Sequence, residues 1–321
     1  MNKLLLIKTG ALGDVVRTTP LLHVLDAEVT WVTASNAFPL LRHNPRIARV
    51  VDIERADVVS GREYDLVVSL DEDPRAADLA TRVMKQALVG VYRAGFGTTY
   101  TDSAREWFDM SLISQLGKAK ADELKFQNQK TYQEFIFSMI GKAFCGEEYL
   151  LPVPVTTRPV PQLVGLEARA GDRWPMKRWN GYEALAAQLE VEGYRVKYLE
   201  QRERLEDYID DINECDYLVC GDTLAMHVGL ALRKKVVALF TCTSPQEIYG
   251  YGRMTKVVSP MLREDFYSRK PDHGAVNGIS VEQVQRIICA WEDEGVAAVR
   301  RARDADQRDR RRPVVVEQRE T

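Results

Sequence analysis

Short apolar runs alternate with amphipathic stretches along most of the chain. In the first half, strands are predicted at 3–8, 29–33, 50–53, 64–70 and 88–92, and helices at 14–25 and 75–86. Strands that alternate with helices are typical of βα units, which build a parallel sheet. The first half of the chain is therefore predicted to be an α/β domain.

The same alternation resumes after a proline-rich connector. Prolines stand at positions 152, 154, 159 and 161, and such density favours an extended linker. Beyond it, strands are predicted at 164–167, 195–199, 217–220 and 236–240, and helices at 181–192, 205–213, 223–232 and 280–298. Ser280 would cap the last helix, with Gln283 completing a capping box. Two such units predict two Rossmann-like domains that face each other across a cleft.

The domain boundaries follow from this pattern. We predict a first domain over 1–155, a second domain over 156–299, and a disordered tail rich in arginine and aspartate over 300–321. The stretch 94–129 breaks the alternation, and we interpret it as a functional excursion from the sheet edge rather than as core. A helix over 131–144 is predicted to close the first domain.

Composition and charge exclude some classes of function. The 321 residues are 45% hydrophobic and 28% charged, with a formal net charge of −3, so no basic field indicates nucleic acid as a partner. No window approaches about 18 uninterrupted apolar residues, which a membrane span would need. The N-terminal apolar run also lacks the features of a signal peptide. We expect a cytoplasmic protein without a membrane span and leave peripheral membrane contact open.

The turn after the first predicted strand holds the most informative residue. The strand ends at Lys8, a loop with Gly10 and Gly13 follows, and Asp14 stands where a helix should begin. The loop is neither a P-loop nor a dinucleotide fingerprint. A carboxylate near a helix N-terminus can be purely structural. With Lys8 and Arg17 nearby, Asp14 is also a candidate general base at the ligand-facing edge of an α/β sheet.

Two cations follow the first predicted strand of the second half. Lys177 and Arg178 lie in the loop between the strand at 164–167 and the helix at 181–192. Cations near the free N–H groups of a helix start can bind a phosphate. A solvated loop is the alternative, and the spacing favours the anion site.

A third group follows the strand at 217–220. Asp222 or Thr223 can cap the next helix, and His227 falls one turn further on the same face. The three side chains could instead hold a nucleotide sugar. A further acidic group, Asp71-Glu72-Asp73, could bind a divalent metal, but we favour a helix cap there and predict no metal site.

Four segments, taken in order, resemble the ADP-heptose:lipopolysaccharide heptosyltransferase family, glycosyltransferase family nine. Residues 7–20 are similar to the opening motif of that family, and Pro175-Met-Lys-Arg-Trp179 is similar to its central Ser-Lys-Arg-Trp loop. Residues 222–227, and 236–240 with Thr243-Ser-Pro245, are similar to its C-terminal donor motif. The matches run from about residue 3 to residue 252.

The resemblance implies a GT-B fold with the acceptor site in the first domain and the donor site in the second. It implies an inverting transferase that needs neither a metal nor another cofactor, with a nucleotide sugar, foremost ADP-heptose, as donor. By position, the implied roles are Asp14 as catalytic base, Lys177 with Arg178 on the diphosphate, Asp222, Thr223 and His227 on the donor, Glu200 on the nucleoside, and Gly10 and Gly13 as loop contacts.

The acceptor and two alternatives stay open. A glycan, a lipid-linked sugar, a protein or a small metabolite could accept the sugar. A nucleotide-sugar 2-epimerase-like enzyme would share the architecture but need no acceptor. A non-catalytic nucleotide-sugar-binding subunit is the other alternative, because Leu224 stands where the family usually has glycine.

Overall fold

The computed structural model describes residues 2–95, 97–155, 159–171, 174–268 and 278–291 of the chain. It contains two sheets, one in each half, which are flanked by helices. The predicted α/β class with two mainly parallel sheets is therefore confirmed. The predicted tail at 300–321 and the end of the predicted last helix lie outside the described residues.

The first sheet has six strands in the order β3-β2-β1-β4-β5-β6. They are β1 (Lys3–Ile7), β2 (Glu28–Thr33), β3 (Arg49–Asp52), β4 (Glu63–Ser69), β5 (Met84–Ala94) and β6 (Gly97–Tyr100). The first five are parallel, and β6 runs antiparallel to β5. Apolar side chains fill β1 and β2 on both faces, which suits strands covered on both sides.

Seven α-helices accompany this sheet in the described part of the first half. They are α1 (Leu12–Thr18), α2 (Phe38–Leu41), α3 (Asp57–Ser60), α4 (Pro74–Arg82), α5 (Arg105–Phe108), α6 (Lys118–Gln127) and α7 (Tyr132–Met139). Asp14 thus lies in the first turn of α1, as predicted.

The second sheet has five parallel strands in the order β11-β10-β9-β7-β8. They are β7 (Leu163–Glu167), β8 (Arg195–Tyr198), β9 (Tyr217–Gly221), β10 (Lys235–Phe240) and β11 (Met254–Val258). Its helices are α8 (Tyr182–Val191), α9 (Leu205–Glu214), α10 (Leu224–Ala231) and α11 (281–291). The Ser280 hydroxyl accepts a hydrogen bond from the backbone N–H of Gln283, which confirms the predicted N-cap.

Three predicted helices end earlier than expected. The helix predicted over 14–25 changes to a 3-10 turn at Thr19–His23, because Pro20 has no N–H group to donate. The helix predicted over 75–86 ends at Arg82, since the chain enters β5 and pairs with β4. The helix predicted over 131–144 ends at Met139, where the positive φ of Gly141 reverses the chain.

The interpretation of 94–129 as lying outside the core is wrong. Trp107 and Phe108 of α5 are buried in the largest apolar cluster, and Tyr100 of β6 joins them. Trp107 packs against Tyr132 and Phe135 of α7. The stretch leaves the βα rhythm because β6 turns back antiparallel on β5, but its aromatic side chains still fill the interior.

One apolar cluster spans the two sheets, and each sheet also has a separate cluster of its own. Val15 and Val16 of α1 belong to the same cluster as Met226 and Leu230 of α10. The predicted boundary at 155/156 falls between α7 and β7 and stays a prediction. None of the helices in the described part of the chain has the length and apolarity that crossing a bilayer needs.

Chain order reverses at one point in each sheet. In the first sheet, β1 lies between β2 and β4, and in the second, β7 lies between β8 and β9. Ligands of open α/β sheets bind in the crevice beyond the carboxyl ends of strands at such a switch point. The carboxyl ends of β1 and β4, and of β7 and β9, are therefore where a site is expected.

Candidate active site between the two sheets

Asp14 lies beyond the carboxyl end of β1, between two cations. Its Oδ1 is 2.9 Å from Arg17 Nε, and its Oδ2 is 3.8 Å from Lys8 Nζ. Burial alone would raise the pKa of Asp14, but the positive charges of Arg17 and Lys8 outweigh it and lower the pKa. The carboxylate is therefore ionised near neutral pH, and about a third of its side chain remains accessible to a ligand.

The loop before Asp14 is held by Asp71 from the end of β4. The Asp71 Oδ2 accepts hydrogen bonds from the backbone N–H and the hydroxyl of Thr9, each at 2.8 Å, and from the N–H of Gly10 at 3.2 Å. Lys8 Nζ lies 3.6 Å from the same oxygen. This buried network fixes the turn that presents Asp14 at the switch point of the first sheet.

Arg17 is fixed by aromatic rings as well as by Asp14. Its guanidinium carbon lies 4.1 Å above the ring of Tyr132 and 5.7 Å from that of Trp107. Contacts of a guanidinium with ring faces are favourable and strengthen as water is excluded. The two rings therefore cover the guanidinium of Arg17, and its nitrogens remain available to carboxylates.

Lys177 and Asp222 form the corresponding pair in the second half. Lys177 Nζ donates to the Asp222 Oδ2 at 2.8 Å and to the Asp222 carbonyl oxygen at 2.6 Å. The Lys177 loop can approach β9 because a Cβ on Gly221 would lie 3.0 Å from the Lys177 carbonyl oxygen. Burial would raise the pKa of Asp222, but Lys177 and His227 outweigh it and lower the pKa. An ammonium thus lies at the carboxyl end of β9.

His227 of α10 connects the two halves of the site. Its Nε2 lies 3.9 Å from the Asp222 Oδ1, and its Nδ1 lies 3.3 Å from the hydroxyl of Tyr149. The Tyr149 hydroxyl accepts a hydrogen bond from Gln133, so its own proton is free for Nδ1. Burial and the nearby charge of Arg17 lower the pKa of His227 to about 4. His227 is therefore neutral at pH 7.

Gly13 brings α1 against His227. A Cβ at position 13 would lie 2.7 Å from the His227 Cδ2, which no side chain tolerates without movement of the ring. The residue next to Asp14 thus contacts the residue that faces Asp222. Asp222 is close enough to Asp14 that its negative charge affects the pKa of Asp14.

Two buried hydroxyls of the second half have unused hydrogen-bonding capacity. Thr223 is the N-cap residue of α10, but its side chain makes no cap hydrogen bond. Within the described residues, the hydroxyls of Thr223 and Thr243 have no hydrogen-bond partner. Buried polar groups are nearly always paired. Thr223 lies at the N-terminus of α10, next to Asp222, the partner of Lys177, and free donors at a helix N-terminus can bind a phosphate.

The segment that carries Asp222 matches a known family. The model described as glycosyltransferase family 9 (heptosyltransferase) matches residues 199–270, which include Asp222, Thr223 and His227. The resemblance that the four motifs predicted is confirmed by this match, and with it the expectation of a glycosyltransferase. No curated protein sequence matches the chain.

Solved structures of a family 9 glycosyl transferase and of two heptosyltransferases share the fold of 89–91% of the chain. A family 9 glycosyl transferase from Veillonella parvula DSM 2008 is 18% identical, with a TM-score of 0.61 over 89% of this chain and 95% of that one. E. coli heptosyltransferase WaaC with ADP-2-deoxy-2-fluoro heptose is 14% identical, with a TM-score of 0.58 over 89% and 98% of the chains. E. coli ADP-heptose lipopolysaccharide heptosyltransferase II is 15% identical, with a TM-score of 0.57 over 91% and 100%. The expected GT-B architecture is confirmed.

The remaining residues expected from family 9 lie at the edge of this site. Arg178 is exposed, and among the described residues it is Lys177, not Arg178, that pairs with Asp222. Glu200 is exposed just beyond β8. Gly10 meets no atom within 4 Å of where its Cβ would be, so its contribution is the backbone N–H bound to Asp71. The roles of these residues stay predictions.

Several residues of the site were not recognised in the sequence. Asp73 caps α4, as predicted for the acidic group after β4, but Asp71 binds the loop of Thr9 instead. Tyr149 and Glu247 were not expected in the site at all. No group of three or more His, Cys, Asp or Glu side chains is placed to hold a metal ion in the ranges that the structure describes.

Proposed function

We propose that the chain is an inverting, metal-independent glycosyltransferase that moves a heptose or a related sugar from ADP-heptose to an acceptor hydroxyl. One observation supports this above the others. A carboxylate at the switch point of the first sheet, Asp14, meets an ammonium–carboxylate pair at the second sheet, Lys177 and Asp222, around the neutral ring of His227. A base on one side and an anion-binding group on the other are what sugar transfer requires.

Asp14 would act on the acceptor. Its carboxylate takes the proton of an acceptor hydroxyl while that oxygen attacks the anomeric carbon of the donor from the face opposite the diphosphate. A new glycosidic bond forms as the bond to the diphosphate breaks, so the configuration at the anomeric carbon inverts. General base catalysis of this kind is typically worth about 10²- to 10⁴-fold in rate.

Lys177 and the start of α10 would act on the leaving group. The breaking bond leaves its electron pair on the nucleotide diphosphate. Two of the three N–H donors of Lys177 are used by Asp222, and the third can bind a phosphate oxygen. The hydroxyls of Thr223 and Thr243 and the first N–H groups of α10 add neutral donors. These groups could stabilise the diphosphate without a divalent ion.

Family 9 structures support the choice of donor. The E. coli WaaC structure is described with ADP-2-deoxy-2-fluoro heptose, and heptosyltransferase II is named for ADP-heptose. The acceptor is not specified by the site, and the cytoplasmic location and a role in lipopolysaccharide synthesis rest on the family alone.

A panel of nucleotide sugars tests the proposal. Because a ligand that binds only the folded state stabilises it by about 2.7 kcal/mol at 100 times its Kd, ADP-heptose should raise the melting temperature more than other nucleotide sugars. With an acceptor mixture, release of ADP should accompany a new glycoside of inverted configuration. An isomerised sugar formed without acceptor would indicate an epimerase. Binding without turnover for any acceptor would indicate a binding subunit.

A further inference from the structure

Glu247 is a buried carboxylate that belongs to the second half of the chain but faces the first. It follows β10, and only 5% of its side chain is exposed. Its carbonyl oxygen accepts a hydrogen bond at 3.0 Å from the N–H of Tyr132, the first residue of α7. This backbone contact fixes the residue against the N-terminal half independently of its charge.

Both cations around the Glu247 carboxylate come from the other half. Lys125 Nζ of α6 lies 3.4 Å from Oε1, and Arg17 Nη1 of α1 lies 3.9 Å from Oε2. From its own half, Tyr267 donates a hydrogen bond to Oε1 at 3.3 Å. A buried carboxylate is costly without compensating charge. Glu247 therefore gains its two cations only where the two halves are docked.

Arg17 is shared between Glu247 and Asp14. Its Nε faces Asp14 at 2.9 Å while its Nη1 faces Glu247, and the Tyr132 ring covers one side of the guanidinium. A planar guanidinium that contacts carboxylates through different nitrogens transmits the position of one to the other. The contact with Arg17 at 2.9 Å orients Asp14, and the contact with Glu247 at 3.9 Å orients the plane of the Arg17 guanidinium.

We propose that Glu247 is a positioning residue that makes the orientation of Asp14 depend on docking of the donor-binding half, acting through Arg17. The inference rests on the proposed function in that Asp14 is taken as the base. Asp14 would then be held in its working orientation when the half that carries Lys177 and Asp222 is in place. Through Lys125, which pairs with Glu247, the excursion at 94–129 also takes part in this positioning.

Kinetics of Glu247→Gln test this role, with Glu148→Gln as a matched control. Glu148 also forms an ion pair with a residue of the other half, through Arg253 Nη1 at 2.9 Å, but it has no contact with Arg17 or Asp14 among the described residues. Because displacement of a catalytic group by about 1 Å can cost up to about 10²-fold, Glu247→Gln should lower kcat about 10- to 100-fold with an unchanged Kd for donor. Glu148→Gln should keep kcat within about twofold of wild type.

Two further variants separate positioning from folding. Glu247→Asp keeps the charge and should recover part of kcat. Arg17→Lys combined with Glu247→Gln should cost little more than Arg17→Lys alone, since residues in one network are not additive. Equal losses of kcat in Glu247→Gln and Glu148→Gln, or fully additive losses in the double variant, would overturn the proposal.

A substrate-free measurement separates this inference from the proposed function. Asp14 is faced by Arg17 on its own helix, by Lys8 at the end of β1, and by His227 and Asp222 of the other half. Without the negative charge of Glu247, the positive charge of Arg17 acts more strongly on Asp14, so the pKa of Asp14 should fall in Glu247→Gln. The pKa should stay unchanged in Glu148→Gln. NMR titration of ¹³C-labelled aspartate reads this pKa. A shift without any sugar transfer by wild type would reject the function and keep the coupling, and no shift would reject the coupling.

Discussion

The Cδ2 of His227 lies 2.7 Å from the point where a Cβ on Gly13 would stand. This contact joins the loop that presents Asp14 to the helix that follows Asp222. The glycine is required here by space, since its φ is not in the left-handed region. Because α1 accompanies the first sheet and α10 the second, the same contact determines how closely the two halves of the site approach each other.

Gly13→Ala should therefore destabilise the protein. A methyl group at this position must displace the ring of His227, and overpacking of this kind typically costs about 1–3 kcal/mol. Urea unfolding measures the change. Gly61→Ala is the control, because no atom lies within 4 Å of its Cβ position. Equal stability of the two variants would mean that α1 and α10 are not packed as described.

His227 should make stability depend on pH in a defined window. Its pKa is about 4 in the folded state, because of burial and then Arg17, against about 6.5 when unfolded. The unfolded state binds more protons between these values, so stability is complete above pH 6.5 and falls as the pH falls towards 4. The loss from pH 7 to pH 5 should be about 2 kcal/mol. In His227→Gln, urea unfolding at the two pH values should show little of this loss.

Lys177→Met should impair donor binding and turnover together. The variant removes the ammonium at the carboxyl end of β9 and leaves Asp222 without its cation. Loss of a group that stabilises the leaving diphosphate costs about 10²- to 10³-fold in kcat by analogy with oxyanion donors. Lys197→Met is the control, since Lys197 is also paired with carboxylates but lies on β8. Similar kinetics for both variants would show that Lys177 does not bind the donor.

Thr223→Val should separate donor affinity from stability. The hydroxyl is buried without a partner in the described chain, so its replacement by an isosteric methyl group should leave the free protein as stable or slightly more stable. The affinity for the nucleotide sugar should fall by about tenfold if the hydroxyl binds a phosphate. Calorimetric titration with the donor measures this.

Thr241→Val should show the reverse. The hydroxyl of Thr241 donates to the Met176 carbonyl oxygen, so the variant loses a buried hydrogen bond, which should cost about 0.5–1.5 kcal/mol of stability. Its direct effect on donor affinity should be small. If Thr223→Val lost stability and kept full affinity, its hydroxyl would have a structural partner instead.

The sequence predicts the parts of this molecule that follow from local patterns. Apolar runs located nine of the strands in the described chain, and the glycine turn placed Asp14 in the first turn of α1. Both β6 and β11 were missed. Three of the four residues of β6 are glycine and threonine, with no apolar run, and β11 has only five residues, of which Thr255 and Lys256 interrupt the apolar ones.

The parts of the site that were not predicted depend on contacts between distant residues. Asp71 binds Thr9 across 62 positions, and Tyr149 reaches His227 across 78. Asp71 lies in a sequence typical of a helix cap, and only the pairing of β1 with β4 brings it to the loop of Thr9. Glu247 gives no local signal either, because its cations come from α1 and α6.

Asp14→Asn provides the most direct test of the central claim, that a base on the first sheet acts on a donor held by the second. The isosteric amide cannot accept the proton of the acceptor hydroxyl but keeps the volume of the side chain. Transfer from ADP-heptose should fall at least about 10²-fold, while thermal stabilisation by ADP-heptose persists. Asp73→Asn, which alters the cap of α4 and its ion pair with Arg75 but not Asp14, should transfer at the wild-type rate. Transfer by Asp14→Asn at the wild-type rate would contradict the account.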